Sequence, residues 1–165
     1  MNANFGCKES VPLPVRNRAA VLPYNDGMPH RTLEIAEAFA RALDEEDYES
    51  AFGLLSPDCE YRFREQLFRG PEAIVAEYRK NGEAAGERLE SITYESAVRQ
   101  ESENTAVITF TDRLRHAGRR LVHRCEQRVD VDEHGRVRRI EHRDFPGEQE
   151  ALDEFIRGVG PFAPD

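Results

Sequence analysis

Long apolar runs are missing from this sequence. No stretch approaches the roughly 20 residues that a membrane span requires, so no membrane partner is expected. Met1 to Ser10 lacks the apolar segment behind a basic start that marks a secretory signal. Cysteine is scarce: Cys7, Cys59 and Cys125 are odd in number and far apart. None has a neighbour at CxxC or Cys/His spacing, so neither a disulfide framework nor a metal site is expected, and reduced thiols in a cytoplasmic protein are. There is also no glycine-rich phosphate loop, no Ser-His-Asp pattern and no internal repeat. Positive charge is in deficit, with 23 Lys and Arg against 32 Asp and Glu and a net charge of −9. That balance argues against a nucleic-acid partner.

What is present suits one domain. The 165 residues are 39% hydrophobic and 33% charged, which predicts a thin core under a heavily charged surface. One stretch opposes the overall charge: ten arginines stand against five acids between Arg113 and Arg143. On alternating strand positions such arginines form a solvated outer face. Residues 1–30 hold Pro12, Pro14, Pro23, Pro29 and Asn25-Asp26-Gly27 without a sustained period, which reads as an extended arm. The folded domain is expected over 31–165.

From Thr32, a plausible N-cap, Leu33, Ala36, Phe39, Ala40 and Leu43 recur at helical spacing, with Glu37 and Arg41 on the wet side. Asp47 can cap a second short helix with Ala51, Phe52, Leu54 and Leu55 inward, ended by Ser56-Pro57. Cys59 to Phe63 reads as a strand, with Phe68 in a brief return. Pro71 opens a third helix and Asn81-Gly82 is a natural stop. Leu89–Arg99, Ala106–His116, Arg119–Val131 and Arg136–Phe145 alternate as strands, and Glu148–Gly158 reads as a last helix.

This order is carried by Asp47-Tyr48-Glu49, Ala51, Leu54-Leu55, Asp58 and Tyr61, then Gly70-Pro71-Glu72-Ala73-Ile74, then Gly135-Arg136-Val137 and Ile140. It resembles the NTF2-like superfamily and, within it, the SnoaL-like proteins, over roughly residues 32–145. The resemblance implies an α+β cone in which a curved antiparallel sheet wraps around three helices. It also implies a pocket for a small, mostly apolar organic molecule, no cofactor and a homodimer. Isomerases, dehydratases, cyclases and hydrolases share this fold, so any enzyme here would be a cofactor-independent isomerase or lyase of the ketosteroid isomerase type. The alternative is a non-catalytic homodimerising module with an incidental cavity.

Counting back from a two-residue turn at Ala117-Gly118 pairs Leu114 with Leu121, Asp112 with His123, Phe110 with Cys125 and Ile108 with Gln127, all on one face. Arg113, Arg115, Arg124, Glu126 and Arg128 then face solvent. Val137 and Ile140 break strict alternation, so a bulge near Arg138-Arg139 is expected, and beyond it His142 and Asp144 turn inward. His123 is therefore the candidate base, held by hydrogen bonding to Asp112 or Asp144. Tyr61, His142, Phe110, Gln127 and Cys125 are the candidate substrate contacts, Tyr61 or His142 serving as donor to a developing oxyanion. Tyr78, Phe39 and Phe52 read as pocket wall or core. Catalysis, passive ligand contact and a purely structural network all remain open for this cluster.

Overall fold

The computed structural model describes residues 28–159; most of the expected N-terminal arm, with Cys7, lies outside them. The first helix, α1 (Met28–Asp44), begins before Thr32. Thr32 is therefore not its cap: the residue is buried, and its hydroxyl donates to the Glu103 carbonyl at 2.8 Å. Ala36, Phe39 and Ala40 form the buried stripe of α1, as their spacing predicts. A second helix, α2 (Tyr48–Leu54), is capped by Asp47, whose side chain accepts from the Ser50 N–H at 3.0 Å. Ala51 faces the core, but Phe52 is 40% exposed, so it is neither core nor pocket wall.

The chain then enters β1 (Leu55–Phe63) and returns as β2 (Gln66–Arg69). Pro71 starts α3, which runs past Asn81-Gly82 to Arg88. Gly82 does not stop this helix. A Cβ there would lie 2.5 Å from the Tyr48 hydroxyl, so glycine is what lets Tyr48 approach. The meander follows as β3 (Ser91–Gln100), β4 (Thr105–His116), β5 (Arg119–Val131) and β6 (Val137–Asp144), and α4 (Glu148–Val159) closes the described chain.

The sheet order is β2-β1-β6-β5-β4-β3. The meander and the β1–β2 hairpin are antiparallel, but β1 lies parallel to β6, so the sheet is mixed. The β4–β5 register is the one counted from the turn, from His116↔Arg119 through Asp112↔His123 to Ile108↔Gln127. The turn residues Ala117 and Gly118 have φ of 48° and 75°, the left-handed pair that a tight hairpin requires. Between β5 and β6 the register shifts at Asp130/Val131, which leaves Arg138 without a partner and places His142 beside Gln127 and Asp144 beside Cys125.

Two clusters hold the layers together. The larger joins Phe39 of α1, Ile74 of α3, Leu55 of β1 and Ile108, Val129 and Ile140 of the sheet. The smaller joins Leu89, Leu114 and Phe155 of α4, with Ile92, Leu121, Leu152 and Ile156 partly buried around them. Burying a side chain such as Phe39 or Ile140 contributes about 1.5–3 kcal/mol each. Arg113 and Arg128 face away from these clusters, Arg113 pairing with Glu95 at 3.1 Å and Arg128 with Glu101 at 2.7 Å, whereas Arg119 lies over the Phe155 ring. Among the described residues no helix is long and apolar enough to cross a membrane.

Candidate functional site

Between the smaller cluster and the open half of the sheet lies a cavity of about 400 Å³. Its walls are mainly apolar, with Leu43, Ala84, Ile92, Phe110, Leu114 and Ile156 among them. Every residue named from the sequence as a site candidate lines it: Asp112, His123 and Asp144, with Tyr61, His142, Phe110, Gln127 and Cys125. The reason is local. All eight stand at alternate positions of strands whose inner side faces the helices.

The expected hydrogen bonds to His123 are not formed. Its Nδ1 is sealed from solvent without a hydrogen-bond partner, and neither Asp112 nor Asp144 bonds to the ring. The carboxylate standing against it is Glu148 of α4, at 3.7 Å from Nδ1. Asp144 pairs instead with His142, whose Nε2 lies 2.8 Å away, and with Arg64, whose Nε lies 3.1 Å away. His142 and Asp144 are two residues apart on one strand and so share a face, a signal the sequence already carried. Arg64 also contacts Gln149 and sits over the Phe63 ring, which packs edge-on against His142 at 4.6 Å. Burial works against Asp144, but hydrogen bonds from Arg64 and His142 hold its carboxyl below the ordinary carboxylate value. Burial outweighs Asp144 at His142 and pushes that imidazole down, so it is neutral at pH 7.

Asp112 is in a different situation. Its pairing partners are Tyr94 on β3 and His123 on β5, which places three titratable side chains in one row across three strands. Burial pushes the Asp112 carboxyl from 3.8 up to about 6, with His123 opposing the shift and Asp44 adding to it. Asp44, at the end of α1, accepts from the Ser96 hydroxyl at 2.5 Å while its other oxygen is buried without a partner; burial raises it too. Burial also pushes the Tyr94 phenol up to about 12. Tyr94, Asp44 and Glu148 were not among the sequence candidates. Tyr94 was the findable one, because Ile92, Tyr94 and Ser96 alternate inward in register with Leu114, Asp112 and Phe110.

Tyr61 is held within a buried aromatic and amide network on the cavity wall. It stacks on Tyr78 with ring centroids 5.1 Å apart, and its hydroxyl accepts from Gln127 Nε2 at 3.4 Å. The Tyr78 hydroxyl donates to Gln127 Oε1 at 2.7 Å. Gln127 thus ties α3 to β1 through the sheet, and burial keeps both phenols protonated. Cys125 and Cys59 are free and buried, and burial pushes each thiol up to about 12. Such thiols are packing groups, not nucleophiles. Among the described residues no three His, Cys, Asp or Glu side chains are grouped to hold a metal ion.

No family model and no curated protein matches the sequence. Solved structures do match. One is a candidate polyketide cyclase from Xanthomonas campestris pv. campestris, at 14% identity and TM-score 0.60, covering 80% of this chain and 98% of that one. Another is TerC co-crystallised with polyporic acid, at 16% and 0.62, covering 77% and 98%. A third is an LEH-like epoxide hydrolase from M. tuberculosis, at 18% and 0.54, covering 79% and 98%. This chain shares the α+β fold of these neighbours, the NTF2-like cone.

Proposed function

We propose that the cavity binds a small, mostly apolar organic molecule and transfers a proton within it without a cofactor. The observation that carries this reading is the row Tyr94–Asp112–His123, set across β3, β4 and β5 on the wall of an otherwise apolar cavity. A volume of about 400 Å³ is within the range of small-molecule sites. The neighbours named for a polyketide cyclase, an epoxide hydrolase and a complex with polyporic acid support a small organic ligand.

The chemistry follows from the residues. At pH 7 a carboxyl held near 6 is largely ionised, yet basic enough to take a proton from a C–H beside a carbonyl. The electron pair moves onto the carbonyl oxygen, where the Tyr94 hydroxyl is placed as donor. Asp112, directly or by first passing its proton to His123 facing it, then returns that proton to a different carbon, which isomerises the molecule, or to a leaving hydroxyl, which dehydrates it. Asp144 is committed to His142 and Arg64 and shapes the cavity wall. The cytoplasmic placement is part of the same reading and is supported by free, buried Cys59 and Cys125. So is the homodimer, supported by the outer sheet face, where Val122 is 46% exposed. Light scattering that returns a monomer mass at micromolar concentrations would remove that part.

Native mass spectrometry should find a small organic molecule retained by the purified protein. A panel of cyclic ketones should exchange C–H for solvent deuterium in its presence. Asp112→Asn and His123→Gln should each abolish that exchange with the fold intact. Full exchange in both variants would show the row to be structural.

A further inference from the structure

We propose that Glu148 is a positioning residue of this site: α4, docked on the sheet, sets its carboxylate against Nδ1 of His123, holds the ring proton there and leaves Nε2 to serve the cavity. The inference deepens the reading above by naming what orients His123. Its starting point is a mismatch in strand length. The last β5–β6 pair is Cys125↔Asp144, so His123 and Arg124 stand beyond the end of β6. The first turn of α4 takes up that vacated edge. Glu148 Oε2 accepts the Arg124 backbone N–H at 3.0 Å, and Oε1 lies 3.6 Å from the Arg124 guanidinium.

The same Oε2 lies 3.7 Å from His123 Nδ1, an ion-pair distance that a small side-chain movement converts to a hydrogen bond. Three charged or titratable groups face this ring: Asp112 from β4, His142 from β6 and Glu148 from α4. Glu148 is the one placed at Nδ1, the nitrogen that is buried and otherwise unpartnered. An unsatisfied buried group costs about 1–3 kcal/mol, which favours closing that gap. The carboxylate is itself held in place. Phe155 anchors α4 against Leu89 and Leu114, and Gln149, next to Glu148, contacts Arg64. A carboxylate that accepts from one ring nitrogen fixes the tautomer and so decides which nitrogen can accept or deliver a proton at the other side.

Long-range ¹H–¹⁵N NMR on the full chain with labelled histidine, at a pH where the ring is neutral, reads the tautomer without any substrate. Failure of the proton-transfer reading would therefore leave this result standing, and the reverse holds too. The wild type should show His123 as the Nδ1–H form. Glu148→Ala should lose that signal in favour of Nε2–H. Glu148→Gln keeps an oxygen that accepts from both Arg124 N–H and Nδ1–H, and should retain it. Gln149→Ala, which releases the neighbouring contacts to Arg64 and Asp153 but keeps the Glu148 carboxylate, should also retain it. A wild-type ring in the Nε2–H form, or an unchanged tautomer in Glu148→Ala, would overturn the assignment. Should Glu148→Ala lose its folded spectrum, the wild-type tautomer decides alone.

Discussion

At one end of the inner face of the sheet, Ile108, Val129, Val137 and Ile140 are wholly sealed beneath Phe39 and Ile74; at the other, on the same strands, Asp112 and His123 border a cavity. The two halves share strands, alternation and a continuous β4–β5 register. They differ in what covers them. The sealed half lies under α1, whose Ala36, Phe39 and Ala40 leave no space. The open half is covered by the end of α3 and by α4, which meet the sheet through the small cluster around Phe155 and leave space in front of Asp112. A fold can thus keep one half for stability and hold an uncomfortable carboxylate in the other.

The contrast is tested most severely in the sealed half. Phe39→Ala should destabilise the protein by about 3–5 kcal/mol, since it empties a site with no free space around it. Phe110→Ala, on the cavity wall, should cost clearly less, because its removal enlarges a space that already exists. Urea unfolding measures both, and equal losses would mean that the two halves are packed alike.

Asp112 sharpens the contrast with a change of sign. Its folded value, about 6, lies above the ordinary 3.8, so the native state binds its proton more tightly than the unfolded chain does. Ionisation therefore costs folding free energy. The penalty is absent below about pH 4, grows as pH rises, and is complete above about pH 6. Asp112→Asn should then stabilise the protein at pH 7, by roughly 1–3 kcal/mol at about 1.4 kcal/mol per pH unit, while abolishing proton transfer. The gain should vanish in acid. Denaturation at pH 7 and again below pH 4 tests this, and a variant less stable than wild type at pH 7 would refute it. At the small end, Arg113→Ala removes an exposed pair with Glu95 on the outer face. It should stay within about 0.5 kcal/mol of wild type in the same assay.

How much of this was legible varies with the range of the contact. The β4–β5 hairpin was readable because a two-residue turn and period-two alternation leave one consistent register. The bulge at Arg138 was readable because Val137 and Ile140 are both apolar, at a spacing that a regular strand would turn to opposite faces. The start of α1 and the continuation of α3 were not, since Pro29 and Asn81-Gly82 look like boundaries, and at Gly82 only the approach of Tyr48 reveals otherwise. The parallel pairing of β1 with β6 leaves no local mark. At the site, sequence placed its candidate side chains on the cavity face but joined them differently from the structure. Asp144 turned to His142 and Arg64, and His123 met Glu148 from a helix beyond the last strand, which no strand count can anticipate.

The Ala117-Gly118 turn carries one more consequence, for chain length. Both residues sit at positive φ, and the Ala117 N–H is held by Glu90 Oε1 at 2.9 Å, so the turn is tied down as well as tight. Inserting one residue there would slide β5 by one place against β4 and transpose its faces. Arg124, Glu126 and Arg128 would enter the cavity and the core, and His123 would emerge into solvent. The bend at residues 101–104, which joins β3 to β4, can lengthen without disturbing the Asp112–His123 pair. Among natural variants of this chain, single-residue insertions and deletions are therefore expected at that bend and not at the Ala117-Gly118 turn, where only a change of two residues together would keep the cavity's chemistry in place.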